Sequence, residues 1–142
     1  MILVTGAAGK TGRAVLRALI QKGLQVRALV HHAEQMEIVS ALGAQESLAG
    51  DMNSPGVIER GVQGVSAIYH ICPNVNPDEI PIAEVLINAA LKARVERFIY
   101  HSVLKPQIES MPHHWKKLRV EEMLIQSGLP CTILQPGAYM QN

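Results

Sequence analysis

Aromatic side chains are scarce: one Phe, one Trp and three Tyr in 142 residues, so Val, Ile, Leu and Ala must fill the core. Cysteine is scarcer still. Cys72 and Cys131 fall at or in apolar, strand-like runs, which reads as free thiols in a reducing compartment rather than a disulfide scaffold. Net charge is only +1. No long-range field therefore draws the chain toward nucleic acid or an anionic membrane. No apolar run is long enough to span a bilayer. No basic stretch precedes an apolar one at the N-terminus, so no signal peptide is expected. These absences point to a cytoplasmic protein. Linkers, repeats and low-complexity segments are missing too, which leaves one domain over residues 1–142.

What is present is alternation. Short apolar runs at Met1–Thr5, Val26–Val30, Glu46–Ala49, Ala67–Ile71, Arg97–Tyr100 and Cys131–Gln135 have the continuous hydrophobicity of strands buried on both faces. Helical patterns separate them. Val15, Leu16, Leu19 and Ile20 share one face of a helix over about Lys10–Lys22, which Gly23 stops. Ile82, Val85, Leu86, Ala89, Ala90 and Ala93 form a second stripe. Its helix opens with Asp78 and Glu79 and closes with Lys92 and Arg94, matching the helix dipole. A third helix, about His114–Gln126, carries Lys117 and Glu121 at i,i+4 and stops at Gly128. Weaker helices are expected at Ala33–Leu42 and Ser54–Gly61. Six βα-type units in this order predict an α/β fold with a doubly wound parallel sheet of Rossmann type, ordered 3-2-1-4-5-6.

The loop leaving the first strand reads Gly6-Ala7-Ala8-Gly9-Lys10-Thr11-Gly12. Gly6 permits the tight turn, Gly9 lets a pyrophosphate approach the helix N-terminus, and Gly12 lets the helix pack close to the sheet. Its place at the start of a βαβ pattern makes it a dinucleotide site formed by Gly6, Gly9, Lys10, Thr11 and Gly12. A P-loop is the rival, because Gly9-Lys10-Thr11 ends like one. That motif needs a glycine where Val4 stands inside the strand, so the loop is too short to wrap a triphosphate. At the end of the second strand, where an acid would bind the ribose diol of NAD, the chain has His31 and His32. That absence favours NADP, with NAD as second choice. Lys10 adds charge, and His31 is a pH-dependent contact for a 2′-phosphate.

The Gly-x-x-Gly-x-x-Gly spacing resembles that of extended and atypical short-chain dehydrogenases, and further motifs are similar to the NmrA-like group. These are Val26-Arg27-Ala28-Leu29-Val30-His31, Gly50-Asp51-Met52, Tyr69-His70-Ile71-Cys72-Pro73, Ser102 within Tyr100-His101-Ser102-Val103, Lys117 before Val120-Glu121-Glu122, and Pro136-Gly137 near the end. The resemblance runs along the whole chain. It implies that Asp51 and Met52 flank the adenine and that Cys72 and Pro73 belong to the cofactor site.

It also implies a catalytic lysine, Lys117, with His113 where short-chain dehydrogenases place a tyrosine four residues before it, and Ser102 near the reacting carbonyl. Gln135 stands where the group usually has an arginine. His70, Cys72, His101 and His113 are zinc-ligand types near one sheet edge, but no tight ligand pair accompanies them and no metal is expected. NmrA-like proteins normally continue past the Pro-Gly motif into a substrate lobe. With the chain stopping at Asn142, that lobe is expected to be absent. Ile71, Val103, Leu104, Trp115, Tyr139 and Met140 would then sit near an uncovered edge, where a homodimer or a protein partner is expected. The implied activity is NAD(P)H-dependent reduction of a small carbonyl or quinone. The alternative is a non-catalytic dinucleotide-binding redox sensor that acts through a protein partner.

Overall fold

The computed structural model describes residues 1–73, 75–108 and 110–137. Among them, strands β1 (Ile2–Val4), β2 (Val26–Val30), β3 (Glu46–Ala49), β4 (Ala67–His70), β5 (Arg97–His101) and β6 (Cys131–Leu134) alternate with five helices. These are α1 (Lys10–Gln21), α2 (Glu34–Ala41), α3 (Pro55–Val62), α4 (Glu79–Lys92) and α5 (Pro112–Ser127). The strands form one sheet, ordered β3-β2-β1-β4-β5-β6, and every neighbouring pair is parallel. The expected fold and strand order are both observed. The order reverses between β1 and β4, which opens a crevice at the carboxyl ends of the strands.

Successive residues of each strand point to opposite faces, and the core divides accordingly. Leu3, Leu29, Ile68, Phe98 and Tyr100 pack under α3, α4 and α5 with Ile58, Leu86 and Leu124. Val4, Val26, Ala28 and Val30 pack under α1 and α2 with Leu16 and Val39. The second layer covers β1 to β3. Over the other half of the sheet that face lacks a helix among the described residues. Ile99 pairs in register with Thr132, and His101 with Leu134; Ile99, His101 and Thr132 are half-buried and Leu134 is exposed.

Element boundaries moved where local chemistry outweighed the hydrophobic stripe. α5 starts at Pro112 rather than His114, because proline at the first helical position has a suitable φ and no N–H to leave unpaired. His113 therefore lies inside the helix. Ala93, expected on the buried stripe of α4, is its exposed C-terminal cap. The i,i+4 pair of Lys117 and Glu121 does not form an ion pair; each side chain has other partners, described below.

The tightest approach in the fold joins α1 to the turn after β1. A Cβ on Gly12 would lie 2.3 Å from the Gly6 carbonyl oxygen and 2.7 Å from Ala7 Cα. These are backbone atoms and cannot swing aside. Gly12→Ala is expected to destabilise the domain by about 3 kcal/mol, the upper end of overpacking costs, read as a lower urea midpoint. An unchanged midpoint would show that α1 can shift without loss.

Candidate dinucleotide and active site

A cleft of about 980 Å³ runs across the carboxyl ends of the strands. The glycine loop follows β1, inside the sheet rather than at its edge: Gly6, Gly9, Lys10, Thr11 and Gly12 all line the cleft. Gly6 takes φ +60°, and a Cβ there would lie 2.7 Å from the Ile71 carbonyl oxygen. Gly9 is different. A Cβ on it would meet only the Gly6 carbonyl oxygen, at 3.4 Å, so a longer side chain would stand in open cleft. Gly9 is also the N-cap of α1 and offers no side-chain cap, and the first turn of the helix holds no acid. The amides at the start of α1 and the positive end of the helix dipole thus face the cleft, the arrangement that favours an anion.

The next wall comes from β2 and β3. His31, Asp51 and Met52 line it, together with Gln35. Gln35 Oε1 accepts from the backbone amides of both His31 and His32, at 3.0 Å each. Asp51 Oδ1 accepts from the Asn53 amide at 2.8 Å and from Asn53 Nδ2 at 3.2 Å, closing its own turn. Cys72, Pro73, Ser102, His113 and Lys117 line the remainder of the cleft. Every residue singled out in the sequence for cofactor or chemistry therefore borders one space. Of the residues expected at an uncovered edge, Ile71, Val103 and Leu104 line the cleft. Trp115 does not: the Arg119 guanidinium lies over its ring at 4.4 Å. Tyr139 and Met140 lie outside the described residues.

Beneath the cleft is a buried polar layer that sequence reading missed. Lys117 Nζ lies 2.6 Å from Glu79 Oε1 and donates to the His101 carbonyl at 3.3 Å. The Tyr100 hydroxyl donates to the same Glu79 oxygen at 2.7 Å. Glu79 and Tyr100 are fully buried and Lys117 is 8% exposed. Glu79 lies in the first turn of α4, as expected for an acid that complements the helix dipole, but its side chain is buried against the Lys117 ammonium. Ser102 Oγ donates to Glu121, and Gln135 Nε2 donates to both oxygens of that carboxylate at 3.0 and 2.9 Å. Gln135, which replaces the arginine usual in the resembled group, thus holds the carboxylate with neutral hydrogen bonds. The signal that pointed to Glu79 was an acid within an apolar helix whose buried lysine partner lay 38 residues away. No local periodicity reveals such a pair.

Burial sets the protonation states. His70 stacks on Tyr100 with ring centroids 5.7 Å apart. Burial, reinforced by Lys117, lowers its pKa to about 3. Its Nδ1 lies 2.8 Å from Thr5 Oγ1, and its Nε2 has no partner. The Thr5 hydroxyl also reaches the Ile71 carbonyl, so a proton on Nδ1 satisfies this network and leaves a bare lone pair on Nε2. Burial and the Glu79 carboxylate push the Cys72 thiol up to about 12. It is neutral at physiological pH and not a ready nucleophile. Burial and Glu79 also raise the Tyr100 phenol, and burial and Lys117 lower His101. Among the described residues no cluster of three or more His, Cys, Asp or Glu forms a metal site, and no helix is long and apolar enough to cross a membrane.

Residues 1–142 match the NmrA-like family model. The chain is 33% identical to an NAD(P)H azoreductase of Xenophilus azovorans, covering all of this chain and 49% of that protein. Its fold superimposes on the NADPH complex of the quinone oxidoreductase QOR2 of Escherichia coli with a TM-score of 0.89 at 27% identity, covering 100% of this chain and 50% of the other. It matches the triphenylmethane reductase of Citrobacter sp. bound to NADP(H) with a TM-score of 0.88 at 26% identity, covering 99% and 51%. The chain spans about half the length of these proteins.

A buried neutral histidine makes stability depend on pH. The folded pKa of His70 is depressed to about 3, so the unfolded chain takes up the proton first. The contribution is present above about pH 6.5 and is lost as pH falls toward 3. Between pH 7 and pH 5 the loss is about 2 kcal/mol. Urea unfolding at the two values measures it, and His70→Gln is expected to show a smaller drop. An equal drop in both proteins would remove His70 as the cause.

Proposed function

Because the chain belongs to the NmrA-like family and builds a glycine cradle at the mouth of α1, we propose that it binds a nicotinamide dinucleotide, NADP in preference to NAD, as the cofactor-binding part of a reductase. The observation that carries this reading is Gly9. It borders the cleft beside the uncapped start of a helix, where any larger side chain would occupy the space of a pyrophosphate. When bound, the reduced nicotinamide supplies a hydride. The substrate class is a small quinone, dye or carbonyl compound, as the activities named for the relatives suggest.

The chain's own groups divide the work. Gln35 occupies the amides of His31 and His32, so a 2′-phosphate would meet the side chains of His31 and Lys10 rather than the backbone. Asp51 is held by its own turn and, with Met52, shapes the adenine wall. Cys72 and Pro73, after β4, line the cleft next to the glycine loop. Lys117 has two of its three N–H groups engaged and offers the last to the ribose of the nicotinamide half. His113, one helical turn before Lys117, borders the same space, which supports it as the donor of the proton that accompanies hydride transfer. Ser102 donates its own proton to Glu121. It therefore shapes the pocket as a hydrogen-bond acceptor rather than acting as an acid. The relatives' reductase activities favour this reading over a non-catalytic redox sensor.

Calorimetry is expected to show NADPH binding more tightly than NADH, with the difference narrowed in His31→Ala. Gly9→Val is expected to abolish NADPH binding while leaving the unfolding free energy, read by urea, within about 0.5 kcal/mol of the wild type, because the new side chain faces open cleft. Full affinity in Gly9→Val would overturn the site assignment. NADPH oxidation with a quinone and an aldehyde panel tests the reductase reading.

The half of the sheet face that lacks a helix among the described residues, with half-buried Ile99 and exposed Leu134 on it, supports self-association as a two-fold dimer. Light scattering at micromolar concentration is expected to give twice the monomer mass. Replacing Leu134 with Lys is expected to return the monomer. A wild-type monomer would overturn this expectation.

A further inference from the structure

The proposed function leaves one buried group without a role: Glu79. Its carboxylate is fully buried, Oε1 accepts from both Lys117 and Tyr100, and Oε2 has no hydrogen-bond partner at all. As a stabilising device this is poor. Desolvating an ion pair costs about as much as its attraction returns, and an apolar pair of similar size usually does as well. A carboxylate oxygen left bare adds further cost. The arrangement makes sense when judged by what it does to Lys117. A lysine carries four rotatable bonds and ordinarily loses its charge readily when buried. Here the ammonium is anchored from behind by Glu79 at 2.6 Å and from the side by the His101 carbonyl at 3.3 Å, with the Tyr100 ring 5.3 Å away. Two N–H groups are committed to the protein, and Lys117 still borders the cleft. The remaining N–H has one direction left to it.

We propose that Glu79 is a positioning residue: it keeps Lys117 charged and aims its last N–H at the ribose hydroxyls of the nicotinamide half of the cofactor. The proposal rests on the dinucleotide reading above. Tyr100 is the second anchor. Its hydroxyl donates to the same oxygen, so Glu79 cannot follow Lys117 if the ammonium swings into the cleft. Glu79 itself lies in the first turn of α4, directly after the loop that carries Cys72 and Pro73. The group that sets the lysine thus follows, along the chain, a segment that lines the same cleft.

Two probes separate the ends of the cofactor. NADPH reaches Lys117, whereas 2′,5′-ADP carries only the adenosine and its phosphates and does not. Glu79→Gln removes the charge but keeps the size. It is expected to bind 2′,5′-ADP within about twofold of the wild type and NADPH at least about tenfold more weakly, the worth of one charge-assisted hydrogen bond. Lys117→Met should show the same split. Adding Glu79→Gln to Lys117→Met should cost no further NADPH affinity, because the glutamate acts only through the lysine.

NADPH affinity equal to wild type in Glu79→Gln, alongside a loss in Lys117→Met, would overturn the positioning role. So would a further loss in the double variant. Failure of the wild type to bind either probe would instead overturn the dinucleotide reading. Should Glu79→Gln fail to fold, Tyr100→Phe removes the second anchor and leaves the ion pair. The same split between the probes, at a smaller size, is then expected, and its absence overturns the proposal.

Discussion

The contact between Gly12 and the Gly6 carbonyl is the constraint on which the molecule depends. A helix can start directly at the end of a strand only if nothing larger than hydrogen lies between its first turn and the preceding loop; at Gly12 even a methyl group would stand 2.3 Å from an oxygen. This approach brings the N-terminus of α1 against the sheet exactly where β1 and β4 diverge, so the free amides of one element open onto the crevice made by the other two. The glycine cradle, the crevice and the direction of the helix dipole are one feature seen from three sides.

The parallel sheet then gathers the chemistry. All six strands run the same way, so the residues that follow them emerge along a single edge. Gly6, His31, Asp51, Cys72 and Ser102 are far apart in sequence and border one cleft for this reason alone. Just below, the same geometry aligns Thr5, His70 and Tyr100 on neighbouring strands, with Glu79 and Lys117 arriving from α4 and α5. Low dielectric makes each of these groups respond strongly to the others. It holds His70 and Cys72 neutral and leaves the Glu79–Lys117 pair as the ionised centre of the layer.

Much of this was legible in the residues. β2 and β3 were read to the residue, and the strand order followed from the handedness of parallel crossovers. The glycine loop and the missing acid after β2 are local signals; Asp51, Met52, Cys72, Pro73, Ser102, His113 and Lys117 came from the family resemblance, and all of them border the same cleft. The errors share a cause. The sequence shows Glu79 only as an acid that complements the α4 dipole and Lys117 with Glu121 only at helical spacing, since it displays only neighbours along the helix. Both acids instead meet partners on other elements. Trp115, expected near the open edge, does not line the cleft and has the Arg119 guanidinium over its ring, one turn along the same helix.

The sequence by itself determined the alternation of strands and helices, the glycine cradle and the class of ligand the cradle fits, because each depends on periodicity or on a few adjacent residues whose backbone needs are specific. Tertiary structure alone decided which charges are buried, which oxygen each of them meets and which protons are free to face the cleft. Those outcomes depend on desolvation and on distances between segments tens of residues apart, and neither quantity exists until the sheet has assembled and excluded water from the layer beneath its edge.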